Sequence, residues 1–385
     1  MKKKILVFNG YYVPAKNYGG PTTSMVTIVD HCSEDNQFYI VAANHDLNDS
    51  KIFDGINEGW NSVGKAQVLY TDTKQLRWNP KAISNLIEEV QPDMVWLVGI
   101  MVPYTKWPIA AVCRKKRIPY LISPRGEVCE NAISLKHTKK KAIVTLANLL
   151  GVYKGAYYHS TSDEETEGLV KYFKAPRERI FFASNIAKAS HAVTREIEKE
   201  SGSLKMVFIS RIQEKKNILT AIQAANKLKG NIVFDIYGPM ESEEYWAKCE
   251  DEIRKSPRNV TIRHCGALPA EKVAETFSKY HCFAFPTLSE NYGHTIAEAL
   301  SVSCPVLLSK GTTPWDDLNV VAGFTHELNN VEMLADGMQR LVDTDQVQYN
   351  QLITSTGQYF NKRMQMDGAV QNHLNMLKQV MSVIS

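Results

Sequence analysis

The sequence predicts an α/β protein with two doubly wound parallel sheets of similar size, facing each other across a cleft. Three observations lead there. The length of 385 residues suits two domains. Short apolar runs alternate with helical patterns along the whole chain. A polar interruption falls near the middle, after which the alternation restarts. The first strand is expected at Ile5–Phe8, where the lysine-flanked apolar run is too short for a secretory leader and ends at Asn9-Gly10. Strands follow at Phe38–Ala43, Met94–Val98, Tyr120–Ser123, Ala156–His159 and Ile180–Ala183, with helices such as Pro80–Val90 and Asp163–Phe173 between them. Thr194-Arg-Glu-Ile-Glu-Lys-Glu-Ser-Gly-Ser203 reads as a linker. Leu204–Ser210, Ile232–Tyr237, Val260–His264, Cys282–Pro286 and Pro305–Ser309 then supply the second sheet. Asp367–Ser385 reads as a closing helix whose apolar spacing suits packing back on the amino domain or, equally, an oligomer contact. The expected division is 1–193, a linker 194–203, 204–366 and a helix 367–385.

Composition narrows the class. The chain is 44% hydrophobic and 22% charged, ordinary for a soluble enzyme, and it contains no apolar run of about 18 residues that would span a membrane. Its seven cysteines are scattered and never form C-x-x-C, which speaks against a disulfide framework or a zinc site and for a reducing cytosol. Residues 1–190 carry 25 Lys and Arg against 18 Asp and Glu, whereas residues 191–385 carry 20 against 23. The excess gathers in Arg114-Lys-Lys-Arg117 and in Lys136-His-Thr-Lys-Lys-Lys141, which leads into the amphipathic segment Ala142–Leu150. Lys139, Lys140 and Lys141 therefore suit an anionic membrane surface, with peripheral attachment at its inner face as the expected location beside the cytoplasm. No groove-reading motif accompanies the charge, so nucleic acid is not an expected partner.

Chemistry concentrates at strand ends. Pro286-Thr-Leu-Ser-Glu-Asn-Tyr-Gly-His-Thr-Ile-Ala-Glu298 reads as a strand, a polar loop and the start of a helix. A helix amino terminus offers unpaired N–H groups and partial positive charge to an anionic or sugar-bearing ligand. Glu290 lies at that mouth, and His294 and Glu298, four apart, share a helix face, so two carboxylates can grip two parts of one elongated ligand. After Leu204–Ser210, Arg211 and Lys216 form a clamp suited to a diphosphate, one with a planar fork and the other with a mobile point charge. Gly19 and Gly20, before a helix expected near Thr22, permit close backbone approach to a phosphate or sugar. Neither G-x-G-x-x-G nor G-x-x-x-x-G-K-[ST] is present, which removes the main support for a nicotinamide or P-loop reading.

Together these segments resemble the retaining glycosyltransferases of family 4, which have the GT-B fold of two Rossmann-like domains, and in particular bacterial members that build surface polysaccharides. The resemblance rests on Glu290 and Glu298 with seven residues between them, Arg211 and Lys216, Gly19 and Gly20, Tyr237-Gly238-Pro239, Ser123-Pro-Arg-Gly126 and Thr313-Pro-Trp-Asp-Asp317. It implies transfer of a sugar from a nucleoside-diphosphate donor, more often a uridine one, to a saccharide or lipid-linked acceptor. Under it Glu298 binds ribose hydroxyls and Glu290 the donor sugar. The backbone at Asn291, Tyr292, Gly293 and His294 meets sugar and β-phosphate, and Gly238 lies near the nucleobase. Arg211 and Lys216 neutralise the departing diphosphate, so no metal and no cofactor is expected. Asp343-Thr-Asp345 reads as surface. Where the family often has a histidine at an amino-domain strand end, this chain has Arg125, and that side of the site departs from the pattern. Two alternatives stand beside transfer: a nucleotide-sugar epimerase of the same architecture, and an inactive nucleotide-sugar-binding protein.

Overall fold

In the computed structural model of the protein, residues 2–15, 20–47, 49–129, 133, 137–189 and 191–382 are described. The chain divides into two units, Met1–Ile186 with Gly368–Ser385, and Ala187–Asp367.

The first unit runs β1 (Lys3–Phe8), α1 (Gly20–Cys32), β2 (Asn36–Ala43), β3 (Trp60–Val63), β4 (Ala66–Thr71), α2 (Pro80–Val90), β5 (Met94–Val98), α3 (Pro103–Lys116), β6 (Tyr120–Ser123), α4 (His137–Leu149), β7 (Tyr157–Ser160), α5 (Asp163–Phe173) and β8 (Ile180–Phe182). Its sheet has the order β3-β4-β2-β1-β5-β6-β7-β8. Neighbours are parallel except at the β3–β4 edge. Because strand side chains alternate, each strand feeds two cores. Leu6, Phe8, Val95 and Leu97 pack with Ile83, Ile87 and Ile109 of the helices on one face. Ile5, Val7, Met94 and Trp96 pack with Met25, Ile28 and Val29 on the other. Helix starts follow local chemistry. Asn79 accepts from the Ala82 N–H at 3.1 Å and is followed by Pro80 at the first helical turn. Ser162 accepts from the Glu165 N–H at 3.2 Å, and the first turn of α5 holds three acids.

The second unit runs β9 (Ser203–Ile209), α6 (Ile218–Ala225), β10 (Asn231–Tyr237), α7 (Glu243–Ile253), β11 (Val260–His264), α8 (Val273–Phe277), β12 (Cys282–Phe285), α9 (His294–Ser301), β13 (Val306–Ser309), β14 (Gly323–His326), α10 (Val331–Asp343) and α11 (Gln346–Asp367). Its sheet, parallel throughout, has the order β11-β10-β9-β12-β13-β14. The last helix, α12 (Ala369–Ser382), belongs to the first unit, where Met376, Leu377 and Val380 enter the core that also holds Met25 and Ile28.

The expected boundary at 193 and the linker 194–203 need correction. The division falls at Ile186/Ala187, and the polar stretch is packed into the second unit rather than left as a spacer. Arg195, only 9% exposed, donates to the carbonyls of Phe277 and Tyr280 at 2.7 and 2.6 Å and to the Tyr349 hydroxyl at 2.7 Å. Lys199 donates to the carbonyls of Glu200, Val342 and Thr344. Buried cations are tolerated where oxygen acceptors replace water. Strands β3, β4 and β14 were also absent from the sequence expectation. β3 and β14 are edge strands, and β4 is the next strand in from β3.

Candidate active site

In a doubly wound sheet, ligands bind beyond the carboxyl ends of the strands where the strand order reverses. In the second unit that point lies between β9 and β12. The two loops leaving these strands carry the sequence-predicted residues. Arg211 follows β9, and Lys216 ends a short 3-10 turn, Glu214–Lys216, whose cap Asn217 takes a left-handed backbone before α6. The β12 loop is tied to it: Leu288 N–H and Thr287 Oγ1 both donate to Lys215 O, at 2.9 and 3.1 Å. Glu290 is pinned through its N–H to Thr312 O at 2.7 Å.

Lys216 Nζ and Glu290 Oε1 form an ion pair, and the two side chains are only 12% and 15% exposed. The Thr287 hydroxyl oxygen also lies 3.2 Å from the same carboxylate, sharing its one proton with Lys215 O, and the ammonium lies 5.3 Å from the centre of the Phe285 ring. Burial lowers the Lys216 pKa, Glu290 opposes that, and the positive charges of Lys215 and Arg211 reinforce it. Arg211 is more open and donates to Glu241 at 2.7 Å. Each cation thus holds a carboxylate that an arriving diphosphate can replace.

Gly293 opens α9. Its φ of 78° and ψ of 62° are left-handed, and a Cβ there would press on the Ile296 side chain, so glycine is favoured. No side chain caps this helix start. Tyr292 packs edge-on to Trp315 at 5.5 Å and lies 5.0 Å from His294, and the Trp315 indole N–H donates to Tyr292 O. These contacts fix the backbone from Asn291 to His294. Glu298 sits one turn further in. Burial raises its pKa, with Lys188 opposing, and its carboxylate makes no hydrogen bond or ion pair among the described residues. At the end of β10, Gly238 (φ 148°) lies so close to Ser210 O that any Cβ would collide with it.

The structure therefore brings Arg211, Lys216, Glu290, Asn291, Tyr292, Gly293, His294, Glu298 and Gly238 to one edge of one sheet. Arg125 and Gly20 lie in the first unit. Gly20 begins α1, and Gly19 falls outside the described residues, as does Lys136. Arg125 takes a left-handed φ of 54° and donates through Nη1 to Asn185 at 2.8 Å. Its Nε and Nη2 are buried without partners, and burial lowers its pKa to about 10 against the opposing charge of Glu165. Three polar residues in the first unit had no place in the sequence expectation: Asn9, Lys106 and Glu127. Lys106 had a readable signal, because it shares the apolar stripe of Ile109 and Cys113 at helical spacing.

Comparison with known proteins fits this geometry. Residues 191–357 match the family model described as Glycosyl transferases group 1. That match falls within the second unit, 187–367. One curated relative, the O-antigen chain mannosyltransferase B of Escherichia coli, is 20% identical over 57% of this chain, and the match spans only 59% of that protein. Among solved structures, Anabaena Alr3699/HepE in complex with UDP-glucose aligns over 99% of this chain and 100% of its own, with a TM-score of 0.69 at 15% identity. The lipopolysaccharide outer core galactosyltransferase WaaB in its apo form aligns over 98% and 99%, with a TM-score of 0.63 at 15% identity. The trehalose-6-phosphate synthase OtsA aligns over 99% of both chains, with a TM-score of 0.70 at 9% identity. At these identities the likeness establishes the fold, two Rossmann-like units of the GT-B type.

Proposed function

We propose that this protein transfers a sugar from a nucleoside-diphosphate sugar, of the uridine type, to a saccharide or lipid-linked acceptor in bacterial surface-polysaccharide synthesis. The observation that carries the reading is the Lys216–Glu290 pair, flanked by Arg211 and by the unpaired carboxylate of Glu298, at the switch point of a group 1 glycosyl transferase domain. The bond from the sugar's anomeric carbon to the β-phosphate oxygen breaks, the bond to the acceptor oxygen forms, and the acceptor proton leaves with the phosphate. Negative charge grows on the diphosphate as this happens. Arg211 and Lys216 stabilise it from preorganised positions, which is where fixed charges lower a barrier most. Glu290 and Glu298 accept hydrogen bonds from sugar and ribose hydroxyls. The UDP-glucose held by the Anabaena relative and the mannosyl and galactosyl activities in the other relatives' names support the substrate class.

A thermal-shift series with UDP, GDP, ADP and CMP at matched concentration, with and without magnesium, tests the donor site. One nucleotide is expected to raise the melting temperature, and Glu298→Ala is expected to weaken its binding roughly 10- to 100-fold. That corresponds to one charge-assisted hydrogen bond of about 1.5–3 kcal/mol. No shift with any nucleotide, or an unchanged shift in the variant, sinks the assignment. Product analysis with labelled donor then separates transfer from a change of sugar identity.

The same reading places the enzyme at an anionic membrane surface. Helix α4 exposes Lys139 and Lys141, and beside them Leu146 and Leu149, with Leu150 just beyond the helix, so cationic and apolar groups share one region. No helix among the described residues is long and apolar enough to cross a membrane. Co-sedimentation with phosphatidylglycerol vesicles is expected to fall when Lys139, Lys140 and Lys141 become Ser. Equal sedimentation of the two proteins refutes the attachment.

A further inference from the structure

The loop after β13 braces the β12 loop, and the end of α11 braces the β13 loop in turn. Glu290 N–H donates to Thr312 O at 2.7 Å, and two positions further on Tyr292 O accepts the Trp315 indole N–H. Trp315 is 1% exposed. The Tyr292 ring lies 5.5 Å from it, and the Arg363 guanidinium lies 5.3 Å from the indole centre. Arg363 also donates through Nη1 to both carboxylate oxygens of Asp317, at 3.0 Å each, and through Nη2 to Pro314 O at 2.8 Å. Tyr359, one turn earlier on α11, donates to Asp317 at 2.8 Å. Arg363 thus grips the chain before and after Trp315 as well as the ring between.

The carbonyl and the N–H of one trans peptide point in opposite directions. The indole bond to Tyr292 O therefore sets the direction of the Gly293 N–H, which belongs to the same peptide. Gly293 is buried, and its N–H donates to nothing among the described residues. A buried backbone donor left unpaired is costly unless water or a ligand satisfies it. This one stands at the positive start of α9, on the loop that carries Glu290, where an anionic oxygen is the fitting acceptor. We propose that Arg363 and Trp315 are positioning residues for a nucleoside diphosphate, holding the 292–293 peptide so that the Gly293 N–H meets the terminal phosphate. The phosphate's identity rests on the function proposed above, whereas the path from Arg363 through Trp315 to that peptide does not.

Calorimetry on the full chain with UDP and UMP, and with GDP and GMP, tests it. Trp315→Phe keeps an aromatic ring but loses the indole N–H, and Arg363→Met loses the bonds to Pro314 and Asp317. Each is expected to weaken binding of the cognate diphosphate about tenfold, the scale of one hydrogen bond to a charged group. Binding of the matching monophosphate, which lacks the terminal phosphate, should change less than about twofold. A variant that only loosened the unit would weaken both nucleotides alike. The Arg363 and Asp317 side chains are 32% and 58% exposed, and a pair so open adds little stability. Arg363→Met should therefore melt within about 4 °C of the original chain, and it decides alone if Trp315→Phe does not fold. Unchanged diphosphate affinity in either folded variant, or an equal loss for the monophosphate, would overturn the positioning. Binding of neither diphosphate to the original chain would count against the donor reading itself, and the proposal would fall with it.

Discussion

Lys216→Met is expected to lower turnover about 10²–10³-fold, the range found when one preorganised donor to a developing negative charge is removed. It is expected to destabilise the second unit as well, by about 3–5 kcal/mol, because Glu290 would remain buried without its counter-ion. The two effects separate in a double variant. Lys216→Met with Glu290→Gln removes both charges, so the melting temperature should return toward that of the original chain while turnover stays low. Steady-state transfer assays and thermal melts of the two single variants and the double check this. Normal turnover in Lys216→Met would mean that the diphosphate is held elsewhere. A double variant as unstable as the single would mean that the pair's value lies in packing rather than in charge.

Acid should weaken both units well above the pH at which carboxylates protonate. Burial holds four histidines neutral: His159 well below its ordinary pKa of 6.5, His281 at about 4, His326 lowered, and His373 at about 3. Hydrogen bonding agrees in two cases. His281 Nδ1 accepts the Lys205 N–H at 2.9 Å while Nε2 faces Glu198 O, so a second proton has no place to go. His159 Nδ1 lies 2.8 Å from the Ser123 hydroxyl, which itself accepts the Trp96 indole N–H, while Nε2 faces Ala183 O. Above pH 6.5 neither the folded nor the unfolded imidazole is charged, and the term is absent. Between 6.5 and the lowered folded values the unfolded chain binds protons that the folded chain refuses, so stability falls as pH falls. At pH 5 the cost is about 2 kcal/mol each for His281 and His373. Melting temperatures should be level from pH 8 to 7 and drop steadily from 6.5 to 5. A level profile down to pH 5 would show that these rings titrate freely.

Much of this architecture is legible in the residues. Met94–Val98, Tyr120–Ser123 and Val260–His264 are strands with the expected bounds, because short apolar runs between turn signals have few other ways to be buried. The Glu290–Glu298 segment and the Arg211–Lys216 loop fall at one switch point because strand ends and helix starts leave local marks in glycines, acids and bases. What stayed hidden is long-range. Arg195 and Lys199 look like linker charges, and only the fold supplies the carbonyls of Phe277, Tyr280, Val342 and Thr344 that accept from them. Arg125 stands where the family often has a histidine, and its bond to Asn185, 60 positions away in sequence, is likewise supplied only by the fold. The Asn9 amide is buried without a hydrogen-bond partner, and no local pattern encodes that.

The return of α12 to the first unit sets an order of assembly during synthesis. The second unit is one uninterrupted stretch, 187–367, and everything it needs has been made once Asp367 has been added. The first unit draws Met376, Leu377 and Val380 from the far end of the chain into the core that Met25 and Ile28 began. The core of the first unit is therefore completed only after the segment that closes the second unit has been made, and until then the side chains that α12 covers lack their partners.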